Sequence, residues 1–117
     1  MLTKEQILAV KDLQIEHVDI PEWGGDICVR GMTGSERDAF EASVVDLRGN
    51  AQKFNMLNLR AKLVALTACD EDGNRIFEDV DVVELGKKSA SALQRVFDVA
   101  QRLSGLTKEE IKALEKN

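Results

Sequence analysis

Apolar positions change period several times along the chain, and each change marks the edge of an element. At the start, Leu2 and Ile7 flank Thr3 and Gln6, which occupy the N-cap and N3 positions of a capping box. A first helix is therefore expected, with Leu2 stapled onto Ile7. The period then falls to two. In residues 16–21, Val18 and Ile20 share one face and His17 and Asp19 the other; in residues 26–30, Ile27 and Val29 point together. Glu22-Trp23-Gly24-Gly25 supplies the turn between them, since glycine tolerates positive φ, and the whole reads as a β-hairpin. Free hairpin edges offer places where a strand of a second copy, or of a client, can add.

From Thr33 the helical period returns. Thr33 and Glu36 form a second capping box, Phe40, Val44 and Leu47 recur at i, i+4 and i+7, and Gly49-Asn50 is the expected stop. Residues 55–68 predict a helix with two apolar stripes: Met56, Leu59, Leu63 and Leu66, and beside them Leu57, Ala61, Val64 and Ala68. Such a helix is central in a fold or shared with another subunit. Residues 70–75 form a polar turn, Ile76-Phe77 should re-enter the core, and a short helical turn over 79–85 should stop at Gly86. Ser91 and Gln94 are the expected cap of a long helix whose apolar face is Leu93, Val96, Phe97, Ala100 and Leu103, with Gly105 ending it. Leu106-Thr107-Lys108-Glu109-Glu110-Ile111 repeats the helix-start chemistry of Leu2–Ile7, and the tail helix offers Ile111 and Leu114 to a partner. The fold class expected is α+β: a mostly helical single domain over residues 1–117, with about five helices and a small antiparallel β-hairpin.

Composition narrows the function. A chain of 117 residues with 44% hydrophobic side chains can bury a core without staples, while an aromatic share of 4% argues against a base-stacking platform. The net charge of -5 arises entirely in residues 1–50, which hold five basic and ten acidic side chains; residues 51–117 hold eleven of each. No cationic field exists to condense on phosphates, so nucleic acid is not an expected partner. If the protein coats a sticky client, the acidic half is expected on the outward, solubilising side and the neutral half, with its leucines, on the gripping side. No apolar run approaches the roughly 20 residues that span a bilayer, and residues 1–6 lack the cationic start of a signal peptide. Membrane is not expected, and the cytoplasm is. Cys28 and Cys69, 41 positions apart without metal or redox spacing, are better read as reduced thiols than as a disulfide.

Candidate chemistry is thin. Asp70-Glu71-Asp72-Gly73-Asn74 resembles the start of a calcium loop, but Arg75 stands where that loop needs glycine and Asp81 where it needs a bidentate glutamate. His17, the one histidine, sits on the polar face of a strand with Cys28 across the hairpin, yet nothing supplies an oxyanion hole or lowers the thiol pKa. Gly31-Met32-Thr33-Gly34-Ser35 opens a helix without the lysine of a phosphate loop. No catalytic, metal or cofactor site is expected, and no enzyme. Binding remains. Trp23 at the hairpin tip, Arg30, and the tail residues Ile111 and Leu114 are the candidate partner-binding residues.

The order of segments resembles the tail assembly chaperones of long-tailed bacteriophages and prophages. The residues that carry the likeness are 21–25 (Pro-Glu-Trp-Gly-Gly), 29–41 from Val29 to Glu41, 60–66 (Arg-Ala-Lys-Leu-Val-Ala-Leu), 70–75, 85–90 and 100–106. These are packing and turn residues, so no block is diagnostic alone, but together they span nearly the whole chain. The resemblance implies a cofactor-free protein that acts in the host cytoplasm and is absent from the mature virion. It implies binding to the tape measure protein, recruitment of major tail protein, and a homo-oligomer. It also implies a longer frameshifted form, because Glu115-Lys116-Asn117 can be encoded through a slippery run of adenines. The alternative is a small acidic prophage regulator or adaptor that binds and inhibits a host protein.

Overall fold

The computed structural model of the protein describes residues 1–46, 53–54 and 58–115. Expectations resting on Leu47, Gly49-Asn50, Met56, Leu57 and Lys116-Asn117 lie outside the described residues. In chain order the elements are α1 (Lys4–Ala9), β1 (Ile15–Ile20), β2 (Gly25–Arg30), α2 (Gly34–Ser43), β3 (Val45–Asp46), β4 (Lys53–Phe54), α3 (Leu59–Thr67), β5 (Ala68–Cys69), α4 (Val82–Leu85), α5 (Ala90–Leu103) and α6 (Lys108–Glu115). The class is α+β, with six helices among the described residues where about five were expected.

The period-two segments form the expected hairpin, in antiparallel register from Ile15 opposite Arg30 to Ile20 opposite Gly25. Opposed residues share a face, so Val18, Ile20, Ile27 and Val29 look inward onto α5, while His17, Asp26, Cys28 and Arg30 look the other way. The turn is a 3-10 turn over Pro21–Trp23, closed by Gly24 at φ +78°, whose N–H donates to the Pro21 carbonyl at 3.1 Å. Both edges of the hairpin are not free. β5 pairs with β2, placing Cys28 opposite Cys69 and Val29 opposite Ala68, so of the two hairpin strands only β1 lies at an outer edge of this sheet. Two-residue strands fall below any pattern a sequence period can reveal.

α3 is the two-sided helix and answers its own ambiguity. Leu59, Ala61, Leu63, Val64, Ala65 and Thr67 are all buried, and the helix packs between α5, α4 and α2. The described residues of its stripes fill the interior of this chain. Among the described residues it begins at Leu59, preceded by Asn58 in the left-handed conformation at φ +60°, and the expected start at 55 lies outside them. α5 lies across β1 and β2 with Ala92, Leu93, Val96, Phe97 and Ala100 buried. Each large side chain on that stripe contributes roughly 1.5–3 kcal/mol on burial. The cap of α5 is Ser89, not Ser91: its Oγ accepts from the Ala92 N–H at 3.3 Å, which brings Ala92 into the buried first turn.

Two further expectations need correcting. α2 keeps its Thr33/Glu36 capping box but ends at Ser43, with Val44 as C-cap. The β-branched pair Val44-Val45 favours extension, and Val45–Asp46 pairs with Lys53–Phe54. Of Ile76-Phe77, only Phe77 turns back toward the core, and Ile76 is 48% exposed. Arg75 bridges to Cys69 and Ile76 N–H bonds the Ala68 carbonyl, so the segment runs strand-like and neighbouring side chains point opposite ways.

Candidate functional site

Arg30 belongs to the fold, not to its surface. It is 6% exposed, and its guanidinium grips Glu36 bidentately at 2.8 and 2.9 Å. Nε donates to the Gly73 carbonyl and Nη1 to the Gly31 carbonyl, each at 2.9 Å. One side chain thus ties β2 to the start of α2 and to the 70–75 turn, which covers the outer face of the sheet. The bond from Arg30 holds the Glu36 carboxyl below its ordinary range. That turn is self-contained: Asp70 Oδ1 accepts from the Asp72 and Asn74 N–H groups at 2.9 and 3.0 Å, and Gly73 supplies φ +87°.

Ile111 is likewise built in. α6 starts with Thr107 Oγ1 accepting from the Glu110 N–H at 3.0 Å, and Leu106 and Ile111 enter the main core at 4% and 7% exposure. Glu110 in turn pairs with Arg37 of α2. The tail helix is docked on its own domain, with Leu114 one turn further along it. Trp23 is half-buried, its ring against the core and its Nε1 without an acceptor among the described residues. It walls a groove of about 760 Å³ with Ile76, Phe77 and Leu85, rimmed by Glu22, Asp81, Glu84 and Lys88. Val80 and Val83, on the same 79–85 segment, stand exposed.

The apolar surface most available for binding was read from the sequence only as a helix start. α1 has its capping box, Gln6 N–H to Thr3 Oγ1 at 3.2 Å and Thr3 N–H to Gln6 Oε1 at 2.9 Å, yet buries none of its residues. Leu2, Ile7, Leu8 and Val10 all project, Leu8 at 75% exposure. The signal was present in the sequence: Ile7 to Val10 is an unbroken apolar run on a helix of one and a half turns, too short to have a polar face.

The charge halves are not two sides of the molecule. Glu16 of β1 grips Arg102 of α5 at 3.0 and 2.6 Å, and Glu22 grips Arg95 at 2.6 and 3.1 Å. Acids of the first half hold bases of the second, stitching hairpin to helix.

One polar cluster remains. His17 Nδ1 lies 3.0 Å from Asp26 Oδ2, and its Nε2 lies 3.7 Å from Cys28 Sγ. Hydrogen bonding to Asp26 raises the His17 pKa above its ordinary value. Burial, with the carboxylates of Glu71, Asp26 and Asp70, pushes the Cys28 thiol up. This is the opposite of the thiolate activation that cysteine hydrolases need.

No curated protein matches the chain in sequence. Among solved structures it is similar to the tail assembly chaperone of bacteriophage HK97, with a TM-score of 0.61 at 19% identity, covering 85% of this chain and 94% of that one. Within the described residues, no helix is long and apolar enough to cross a membrane. A family model described as phage tail assembly chaperone matches residues 4–116, and the chain belongs to that family.

Proposed function

We propose that the protein binds the tape measure protein of the phage tail through its projecting N-terminal arm, keeps that client soluble, and helps bring major tail protein to the growing tube. The observation that carries this reading is the arm itself: Leu2, Ile7, Leu8 and Val10, in and beside α1, are all exposed, and α1 buries none of its residues. A six-residue helix is marginal alone, and an apolar helix face gains stability when it lies in a groove or along a second helix. The exposed Ile76, Val80 and Val83 beside the Trp23 groove add a second apolar strip, with Trp23 as anchor. Self-association through the arm or the outer edge of β1 would line several copies along one client. The work is done by binding, in the host cytoplasm during assembly, without cofactor or catalysis, and the protein leaves before the virion is complete.

Co-expression tests it. With the tape measure protein from the same phage, the wild-type chain should raise the soluble fraction of the client and co-purify with it. Ile7→Asp and Leu8→Asp together should abolish both effects without lowering the thermal midpoint of the chaperone. Full client solubility with the double variant would refute the assignment of the arm.

A further inference from the structure

The register of the sheet places His17 opposite Cys28 and Cys28 opposite Cys69, so an imidazole and two thiols stand in one row across β1, β2 and β5. All three are on the face turned away from α5. Directly opposed residues of antiparallel strands have Cα atoms about 4.5–5.5 Å apart. That separation lies inside the roughly 4.4–6.8 Å that a disulfide spans. Both thiols are free and buried, and the row opens to solvent through a groove of about 280 Å³ flanked by Asp26, Asp70 and Glu71. The chaperone role uses none of these groups.

We propose that Cys28 and Cys69 form a dithiol modification site that reacts with small neutral or cationic disulfides, closing a Cys28–Cys69 disulfide with His17 as proton acceptor. In the neutral tautomer that donates Nδ1–H to Asp26, the lone pair of Nε2 faces Cys28 Sγ, 3.7 Å away. The Cys28 proton passes to Nε2, and the thiolate attacks one sulfur of the small disulfide R–S–S–R. The S–S bond breaks, and the first R–S⁻ leaves and takes the proton from the imidazolium. Cys28–S–S–R remains. Cys69 sulfur then attacks Cys28 sulfur, and its proton goes with the second R–S⁻. Two protein thiols are oxidised, and one small disulfide is reduced to two small thiols.

The surroundings set rate and selectivity. Facing the thiols are His17 and Asp26 of the hairpin, Asp70 and Glu71 of the covering turn, and Arg30 at the inner end of the row near Cys69. Burial and the three carboxylates disfavour the thiolate, so exchange is slow at neutral pH and quickens as pH rises. The same carboxylates repel anionic disulfides and attract cationic ones. Closure ties β5, and with it the end of α3, to the hairpin.

The test uses the reduced full chain under native conditions with cystamine, hydroxyethyl disulfide or oxidised glutathione, read by intact mass over time. Wild type should lose two hydrogens and retain no adduct. Cystamine should outpace oxidised glutathione by about fivefold or more at low salt, the gap closing in high salt. Cys69→Ser should stop at the mixed disulfide on Cys28. His17→Asn should slow the first step at neutral pH and be rescued toward the wild-type rate at high pH. Wild type that stays unmodified, retains an adduct without closing, or reacts equally with all three reagents at low salt overturns the proposal.

Discussion

Replacing Arg30 by Met should cost the fold about 3 kcal/mol, because the pair it forms with Glu36 is buried on one side and shared with two carbonyls. Arg30 is 6% exposed while the Glu36 side chain is 19% exposed. Removing one partner of a fully buried pair costs about 3–5 kcal/mol. Here the orphaned Glu36 can turn partly to water, which sets the lower end of that range. The loss also strips a donor from the Gly73 and Gly31 carbonyls. Arg30→Lys keeps the charge but cannot reproduce the planar fork, so about 1–2 kcal/mol is expected. Domains of this size are stable by about 5–15 kcal/mol, so both variants should still fold. Urea unfolding followed by Trp23 fluorescence and far-ultraviolet circular dichroism measures the loss. The sign with pH follows from Glu36. Its carboxyl is held below the ordinary value of 4.5, so its contribution is present above that pH and is lost as pH falls through the lowered value. The gap between wild type and Glu36→Gln should therefore narrow on acidification. An Arg30→Met variant within about 0.5 kcal/mol of wild type would refute the latch and return Arg30 to the surface role its sequence position suggested.

Other perturbations have equally definite outcomes. A Cβ on Gly31 would sit 2.5 Å from the Leu103 carbonyl oxygen at the end of α5, so Gly31→Ala should lower stability by about 1–3 kcal/mol in urea. Phe97→Ala, which empties the centre of the α5 stripe, should cost about 3–5 kcal/mol, and a loss below about 1.5 would contradict the packing. Leu8→Asp, on the exposed arm, should change stability by less than about 0.5 kcal/mol. The His17 imidazole should titrate above 6.5 by NMR, and Asp26→Asn should move its midpoint back down.

Legibility in the sequence followed the length of each pattern. The hairpin, three capping boxes or caps at Thr3, Thr33 and Thr107, and the apolar face of α5 are local signals several residues long, and each appears in the structure. β5 is two residues long and owes its existence to β2 alongside it, so only the folded chain reveals that Cys28 and Cys69 are neighbours. Arg30 looked like a surface cation because its partners, Glu36 and Gly73, lie 6 and 43 positions away and meet only across the turn. Ile111 looked free because the docking of α6 depends on Leu106 and on the Arg37–Glu110 pair. The arm is the converse case. A capping box predicts a helix, but whether the apolar side chains that follow it are covered is decided by what the rest of the chain leaves unoccupied.

Hydrogen–deuterium exchange of the chaperone with and without its tape measure client tests the central claim most directly. Residues 1–10, unprotected in the free protein, should become protected in the complex, together with the strip at 76–83, while α3 and α5 stay unchanged. Exchange in residues 1–10 that is identical with and without bound client would contradict the account.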